Sequence, residues 1–575
     1  MTDKLGELSH AFKACRSAFM FTGLFSFFIN LLMLTGPLFM LQVYDRVLTS
    51  RSIPTLIALT VLVICLYLFM ALLEFVRSRL LVRVGRRLDE QLSGRVFEAI
   101  ISHALRRTPH VGSQPARDLD TLRQFVAGPG PFAFFDAPWT PVYIAVIFLL
   151  HTWLGIFAVV GGIVLFIFAL LNEILTRDPS ARANQSAIAA HTMTEESRRN
   201  AESIGAMGMT NAMRDRWLAQ HNAALDDNTH ASDRAGTITA MSKATRLMMQ
   251  SGILGLGAYL AVLQEITPGT MIAASIILSR ALNPIEQAIT QWRGFIAARK
   301  ANGRIKTVLS AAPAEEPAMD LPEPEGRFAA ENLIVTAPGL DKPLLQGLNF
   351  QLEPGEAVGV LGPSGAGKST LSRALVGVWP ILKGTVRLDG ASLEQWNPEQ
   401  LGRAVGYLPQ DVELFSGTVA ENISRFSAEP DAEAVVKAAK LADVHEMILR
   451  LPDGYSTRIG EGGSALSAGQ RQRVGLARAL YGDPKVVVLD EPNANLDSDG
   501  EAAVIHAIQA LKGAGTTVVV VAHRPSAIHA VDKILFIREG RQLAFGPRDE
   551  ILAKILKSPA GGPQQMGTAN VAAAS

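Results

Sequence analysis

A short segment of this sequence combines glycines with a lysine and hydroxyl side chains at a spacing that suits phosphate chemistry. Residues 362–370 read GPSGAGKST and fit the pattern G-x-x-x-x-G-K-[ST], between a strand-like run and a helix-like segment. Glycine lets backbone amides turn inward around phosphates, and the N-terminus of the next helix adds partial positive charge. We expect Lys368 to reach the β- and γ-phosphates of a nucleotide and the Ser369 hydroxyl to hold Mg²⁺. The expected nucleotide contacts in this loop are Gly362, Pro363, Ser364, Gly365, Ala366, Gly367, Lys368, Ser369 and Thr370.

A second segment places two carboxylates at the end of an apolar run. Residues 485–492 read KVVVLDEP, which predicts a buried strand with Asp490 and Glu491 at its carboxyl end. Sheets of the α/β class bind their ligands at that end of the strands. We expect Asp490 to hold Mg²⁺ and Glu491 to polarise an attacking water. An Asp-Glu pair after a strand is also typical of a helix cap, but a phosphate-binding loop in the same chain favours the catalytic interpretation.

The composition of the chain differs between its two halves, and the first half is rich in long apolar runs. The 575 residues are too many for one ordinary domain, and 48% of them are hydrophobic, with the long apolar runs concentrated in the first 300. About 20 apolar residues suffice to cross a membrane as a helix. The net charge of +1 gives no reason to expect nucleic acid as a partner. Six spans are predicted, near residues 17–43, 53–76, 142–150, 153–172, 247–263 and 271–289.

Charge and loop length orient these spans. The connections after spans two and four are long, and eight arginines lie between residues 77 and 107, so both connections are expected in the cytoplasm. From residue 328 onward, strand-like and helix-like runs alternate as in an α/β domain. The predicted organisation is a short cytoplasmic N-terminus (1–16), an α-helical transmembrane domain (17–304), a linker (305–326), an α/β nucleotide-binding domain (327–557) and a disordered tail (558–575).

Two polar features fall within the membrane half. Asp136 precedes the third span, with Pro138 in the expected first turn, which predicts that the aspartate is the N-cap of that helix. Arg280 lies inside the sixth span, where an ionised group is costly unless it faces partners or water. Arg280 is therefore a candidate for a translocation cavity, with Glu286 as its partner. A buried structural ion pair is an equal alternative.

The C-terminal half resembles the ATP-binding-cassette (ABC) transporter family over about residues 326–555. The motifs that carry the resemblance are, in order, GPSGAGKST, Gln410 in GYLPQD, LSAGQ at 466–470, VVVLDEP, Asn-Leu-Asp at 495–497 and His523 in VAHR. The resemblance implies a P-loop nucleotide-binding domain with antiparallel and helical subdomains that binds ATP with Mg²⁺. It also implies that Gln410 senses Mg²⁺ and the attacking water, and that His523 contacts the γ-phosphate beside the catalytic Glu491.

The LSAGQ segment implies a homodimer, because in this family such segments sit at a helix N-terminus and cover the γ-phosphate of ATP held by the opposite subunit. One cassette and six spans per chain would then give twelve spans and two ATP molecules. The implied contacts are Ser467, Gly469 and Gln470, with Asp497 as a further nucleotide contact. The sequence departs from the family at two points. Ala468 replaces the more usual glycine, and Ala337 stands where many cassettes place an aromatic residue against adenine.

The membrane half is similar to the ATPase-permeases of type I secretion systems, through residues 34–52, 118–155 and 202–209. This resemblance implies a type I ABC exporter fold with a domain-swapped dimer, in the inner membrane of a Gram-negative bacterium. ATP hydrolysis would drive the export of unfolded proteins with uncleaved C-terminal signals. The implied partners are a periplasmic membrane-fusion adaptor, an outer-membrane channel protein, the secreted protein and membrane lipid. The alternative is an exporter of lipid, drug or small peptide with the same architecture.

Overall fold

The computed structural model describes residues 6–106, 114–312, 319–340, 342–494, 496–522 and 528–557. The chain separates into two compact units. The first unit comprises residues 1–100 and 111–313, and the second comprises residues 101–110 and 314–575. The tail predicted to be disordered, residues 558–575, lies outside the described residues.

The first unit is built from helices in the part of the chain that the structure describes. A helix satisfies its backbone N–H and C=O groups internally, which a membrane interior requires because it offers no water as a partner. A π-helical turn at Val43–Val47 joins α3 to α4. The helices are α1 (Gly6–Ala14), α2 (Arg16–Leu32), α3 (Thr35–Gln42), α4 (Leu48–Ser50), α5 (Ile53–Leu105), α6 (Gln114–Ala127), α7 (Gly130–Asp136), α8 (Trp139–Leu150), α9 (Thr152–Arg199), α10 (Ala201–Ala206), α11 (Thr210–Val262) and α12 (Pro268–Ala311).

Three helical stretches within the described ranges are long and apolar enough to cross a membrane, namely Arg16–Ser50, α5 and α9. The pair α7 and α8, bent by 41°, is a fourth if it counts as one span. The fifth and sixth predicted spans are helical, within α11 and α12, but they do not meet the same criterion. Apolarity alone therefore supports fewer spans than the six predicted. Helix α12 packs against α8, α9 and α11, and a span shielded in this way needs less apolar surface.

A buried polar network connects α2, α5, α7 and α8. Arg77 Nη1 lies 3.1 Å from Asp136 Oδ1, and both side chains are largely buried. The Asn30 side-chain amide donates to the same oxygen at 2.8 Å, and the Tyr143 hydroxyl donates to the Asn30 carbonyl at 2.8 Å. The prediction that Asp136 caps the third span is therefore wrong. Helix α8 begins at Trp139 without a side-chain cap, because the carboxylate is engaged by the buried guanidinium instead.

The ion pair considered between Arg280 and Glu286 is not formed. The Glu286 carboxylate lies 2.6 Å from Arg246 Nε on α11, and both side chains are 19% exposed. Residues six apart in a helix are separated by about 120° around its axis. Arg280 and Glu286 therefore point to different sides of α12, and the glutamate faces α11.

The helix α12 extends into the predicted linker. It ends at Ala311, so residues 305–311 are helical rather than extended. Ile305 and Leu309 lie four residues apart on one face of α12, and both are buried in a cluster with side chains of α1, α5 and α6. Next to Ile305, the Arg304 guanidinium donates two hydrogen bonds of 2.7 Å to the Asp118 carboxylate. Apolar packing and this ion pair continue the helix beyond the predicted boundary.

The second unit contains a ten-stranded sheet with the order β5-β4-β1-β2-β10-β9-β3-β8-β7-β6. The strands β9, β3, β8, β7 and β6 are parallel to one another, whereas β5, β4, β1 and β2 pair antiparallel. The strands are β1 (Phe328–Thr336), β2 (Pro343–Leu352), β3 (Ala357–Leu361), β4 (Ile381–Leu388), β5 (Ala391–Ser392), β6 (Val405–Leu408), β7 (Val486–Asp490), β8 (Thr517–Val521), β9 (Lys533–Arg538) and β10 (Arg541–Pro547).

The parallel strands at the centre of the sheet are buried on both faces. All five residues of β7 and of β8 are buried, as their continuous apolar runs predict. One apolar cluster lies on each side of these strands. The helices of this unit are α13 (Lys368–Leu375), α14 (Pro398–Ala404), α15 (Val419–Ile423), α16 (Ala432–Leu441), α17 (His445–Leu449), α18 (Ala468–Leu480), α19 (Ser498–Gly513) and α20 (Arg548–Lys557).

Truncation of a core leucine should destabilise the second unit. Leu535 on β9 has no exposed surface, whereas Leu543 on β10 is 57% exposed. We expect Leu535→Ala to cost about 2–5 kcal/mol through lost burial and the cavity left behind. The measurement is thermal unfolding of the full-length protein, in which Leu535→Ala should lower the first transition by several degrees. The control Leu543→Ala should leave it nearly unchanged, and equal shifts for the two variants would contradict the assigned core.

Candidate functional site

The phosphate-binding loop, residues 362–370, follows β3, and its last three residues form the first turn of α13. Two of its glycines are required by the geometry. A Cβ atom at position 362 would lie 2.1 Å from the carbonyl oxygen of Ile537 on β9. Gly367, the N-cap of α13, has φ of +97° and packs so closely that a Cβ atom would lie 2.6 Å from the Leu345 side chain. The loop can therefore follow this path only with glycine at both positions.

The Lys368 side chain is held by the backbone at the start of this loop. Its Nζ donates to the carbonyl oxygens of Gly362 and Pro363, both at 3.0 Å, and the side chain is buried. Burial lowers the pKa of Lys368, and the nearby carboxylates of Glu491 and Asp490 oppose this effect. The ammonium group is thus fixed at the N-terminus of α13, where a phosphate anion is also favoured by the helix dipole.

Asp490 ends β7 and has no exposed surface. Its carboxylate accepts hydrogen bonds from the hydroxyls of Ser372, at 2.9 Å, and Ser369, at 3.3 Å. Burial raises the pKa of Asp490, against the opposing effect of these two hydrogen bonds. Ser372 was not predicted as a site residue, although its spacing of three from Ser369 places both hydroxyls on the same side of α13.

The donor atoms of Ser369 and Asp490 suit Mg²⁺. A hydroxyl and a carboxylate supply hard oxygen ligands, and Mg²⁺ in proteins takes one or two such groups and completes its shell with water and phosphate oxygens. Across the described ranges, no group of three or more His, Cys, Asp or Glu side chains could hold a metal by itself. The two residues therefore fit an ion that is bound together with a nucleotide rather than alone.

Glu491 follows β7 in an unusual conformation. Its φ is +51°, in the left-handed region that costs a non-glycine residue about 1–3 kcal/mol. Its backbone N–H donates to the Val521 carbonyl at 3.0 Å, and its side chain accepts a hydrogen bond of 3.2 Å from the Gln410 amide. Gln410 follows the neighbouring parallel strand β6. The structure therefore brings these two predicted residues together at the carboxyl edge of the sheet.

The LSAGQ segment forms the N-terminus of α18, as predicted. Ser467 is the N-cap, and its hydroxyl accepts from the Gln470 N–H at 3.3 Å while the Gln470 side chain accepts from the Ser467 N–H at 2.9 Å. Ser467 and Ala468 are exposed. Gln472, which was not predicted as a site residue, anchors this helix. Its buried side chain donates to the carbonyl of Pro492, next to Glu491, at 3.2 Å. This hydrogen bond joins α18 to the segment that follows β7.

Four further positions singled out in the sequence either have structural roles in the described fold or fall outside the described residues. Asp497 is the N-cap of α19, where its carboxylate accepts from the Gly500 N–H at 3.0 Å. Ala337 follows β1 and is buried in the core, so it offers neither a ring nor an exposed face to adenine. His523 lies outside the described residues, as does Asn495.

Comparison with known proteins shows the family to which the chain belongs. The family described as "ABC transporter transmembrane region" matches residues 19–284, and the one described as "ABC transporter" matches residues 345–494. The type I secretion system ATP-binding protein PrsD of Rhizobium meliloti (strain 1021) is 47% identical over 97% of this chain and 96% of its own length. The chain belongs to the ABC transporters of type I secretion systems.

Other relatives of this ABC transporter also cover most of it. The leukotoxin translocation ATP-binding protein LktB of Pasteurella haemolytica-like sp. (strain 5943B) is 29% identical over 93% of this chain and 76% of its own length. The toxin RTX-I translocation ATP-binding protein of Actinobacillus pleuropneumoniae is 29% identical over 94% of this chain and 77% of its own length. A solved bacterial Atm1-family ABC exporter with ATP bound matches with a TM-score of 0.78 at 22% identity, covering 94% of this chain and 96% of that one. This likeness confirms the fold.

The steric argument for the phosphate-binding loop can be tested with two alanine substitutions. Gly362→Ala should weaken nucleotide binding at least tenfold, because its Cβ would overlap a backbone carbonyl that cannot move without β9. Gly365→Ala is the matched control. Its φ of +78° strains alanine, but a Cβ atom there meets nothing within 4 Å. The measurement is the affinity of the purified ABC transporter for a fluorescent ATP analogue. A larger loss for Gly365→Ala than for Gly362→Ala would show that the overlap is not what requires glycine.

Proposed function

We propose that this ABC transporter hydrolyses ATP to export proteins, as the energising component of a type I secretion system in the inner membrane of a Gram-negative bacterium. The observation that carries the proposal is the 47% identity to a type I secretion protein over 97% of the chain, which includes the membrane unit as well as the cassette. Two further relatives, a leukotoxin translocation protein and a toxin RTX-I translocation protein, support protein substrates.

The site residues have distinct roles in this proposal. The backbone of residues 362–370 and the Lys368 ammonium bind the phosphates of ATP, whose transferred group needs positioning and charge stabilisation more than covalent chemistry. Ser369, Asp490 and Gln410 would hold Mg²⁺, which neutralises charge on the β- and γ-phosphates when bound. Glu491 polarises the attacking water, and the hydrogen bond from Gln410 orients its carboxylate.

The ATP site is completed by a second copy of the chain. Ser467 and Gly469 lie at the exposed N-terminus of α18, which suits contact with the γ-phosphate of ATP bound to the other subunit. The Gln470 side chain acts mainly as the second half of the helix cap. Asp497 is a further nucleotide contact, and His523 contacts the γ-phosphate. The working unit is therefore a homodimer with two ATP molecules at its interface.

The export route requires further proteins. A periplasmic membrane-fusion adaptor and an outer-membrane channel protein would carry the polypeptide onward from the inner membrane. The substrates are unfolded proteins with uncleaved C-terminal signals, and membrane lipid surrounds the helical unit. These assignments rest on the type I secretion relatives.

Magnesium-dependent nucleotide binding should weaken as the pH is lowered. Burial raises the pKa of Asp490, so this carboxyl retains its proton to a higher pH than an ordinary aspartate, whose pKa is about 3.9. The protonated form cannot hold Mg²⁺, so the gain in ATP affinity on adding Mg²⁺ should fall as the pH falls through the raised pKa. Titration of ATP binding with and without Mg²⁺ over a series of pH values measures this. Asp490→Asn should show little gain at any pH, and a wild-type gain that does not change with pH would contradict the assignment.

Protein export should depend on Glu491. The substitution Glu491→Gln keeps the size of the side chain but removes its carboxylate, and loss of a general base typically costs about 10²–10⁴-fold in rate. Mass spectrometry of culture supernatants should then show one or a few full-length proteins missing, while general secretion is unchanged. Glu446→Gln on the exposed surface of α17 is the matched control and should secrete normally. Identical supernatants for both variants would argue against protein substrates and favour export of a lipid, drug or small peptide.

A further inference from the structure

Arg280 is a charged side chain inside the membrane half of the chain, and it has no carboxylate partner in the described residues. The nearest glutamate on its own helix, Glu286, is taken by Arg246 at 2.6 Å. Arg280 itself is exposed. An ionised group within a span is costly unless it faces water, an opposite charge or a ligand.

A pocket of about 280 Å³ opens at this side chain. Its walls come from α3, α5, α12 and the turn between α2 and α3, and they are otherwise apolar or aromatic. Tyr67 contributes a hydroxyl, which lies 2.8 Å from the point where a Cβ atom of Gly36 would be placed. The residues that define this Arg280 pocket are Met33, Phe39, Met40, Val63, Tyr67 and Arg280. One cation in an apolar pocket fits a carboxylate carried by a flexible, partly apolar chain.

The depth of the Arg280 pocket argues against a lipid headgroup. Arg280 is twelve residues from the start of α12 at Pro268, which corresponds to about 18 Å of helix. Tyr67 is fourteen residues from the start of α5 at Ile53, or about 21 Å. The hydrocarbon core of a bilayer is about 30 Å thick, so both residues lie inside it, away from its surfaces, when each helix enters the membrane at its first residue. Headgroup phosphates stay at the surface, whereas a polypeptide in transit passes this depth.

We propose that the Arg280 pocket is a subsite of the transport path that binds Asp, Glu or C-terminal carboxylates of the polypeptide as it crosses the membrane. The inference rests on the proposed export of proteins and adds the chemistry that the path recognises. The guanidinium provides paired N–H donors for a carboxylate, and the methionine side chains adapt to varied neighbouring groups.

The first test measures binding of a fluorescent deca-glutamate peptide to the full-length ABC transporter in phosphatidylcholine nanodiscs. Arg280→Gln should weaken binding at least fivefold, and Arg280→Lys should weaken it less, because the positive charge remains while the paired N–H donors are lost. A deca-glutamine peptide should bind equally weakly to all forms. Arg216→Gln, an exposed arginine on α11 outside the predicted spans, is the matched control and should bind deca-glutamate like the wild type.

A second variant keeps the test valid if loss of Arg280 disturbs folding. Val63→Trp retains the charge and fills the pocket, so it should also weaken binding of the peptide. Unchanged binding in both Arg280→Gln and Val63→Trp would overturn the inference. Thermal stabilisation by added phosphatidylglycerol that disappears in Arg280→Gln would overturn it in favour of a lipid site.

The secretion assay separates this inference from the proposed function. If supernatant proteins depend on both Glu491 and Arg280, and Arg280→Lys restores them, both proposals stand. If they depend on Glu491 while Arg280→Gln secretes normally, the pocket has no role in transport and the proposed function remains. If no supernatant protein depends on Glu491, the proposed export of proteins is overturned. The inference that the pocket takes part in protein transport is then overturned with it, even if the pocket binds deca-glutamate.

Discussion

The nucleotide site depends on the hydrogen bonds that join Asp490 to the hydroxyls of Ser369 and Ser372. The carboxylate stands at the end of a fully buried strand, and the hydroxyls stand on the helix that follows the phosphate-binding loop. A buried carboxylate without such partners would be strongly destabilising, so the pairing fixes α13 against the end of β7. The loop between β3 and α13 then has little freedom, and its amides keep the inward orientation that phosphate binding requires.

The same sheet edge also supports the strained conformation of Glu491. Its left-handed backbone is held by a hydrogen bond to Val521 on β8, and its carboxylate is held by Gln410 beyond β6. Three neighbouring parallel strands therefore contribute to the position of one side chain. The left-handed backbone of Glu491 costs conformational energy. Burial of the apolar faces of the sheet, on which two separate clusters pack, offsets that cost.

The features that the sequence predicts well are those set by local pattern. Continuous valine runs predict buried parallel strands, and the glycine spacing of residues 362–370 predicts a loop that steric contact then confirms at Gly362 and Gly367. The errors arise where a distant residue competes for a polar group. Asp136 has the sequence of a helix cap, but Arg77, 59 residues away, holds it. Glu286 pairs with Arg246 rather than with a residue of its own helix, and no local pattern contains that information.

In the proposed homodimer, the LSAGQ segment of each chain supplies half of a nucleotide site, and the cap of α18 decides which of its amides are left for that role. The capping box of α18 uses the amides of Ser467 and Gln470, so the amides of Ala468 and Gly469 are the donors of the first turn that remain for an outside anion. In the proposed homodimer, that anion is the γ-phosphate bound to the other subunit. The Ala468 side chain is exposed and its helix is already capped, so its methyl group carries no cost within the folded chain. In the proposed homodimer, any steric cost would arise when the two cassettes close over ATP, so we expect the substitution to act on closure rather than on folding.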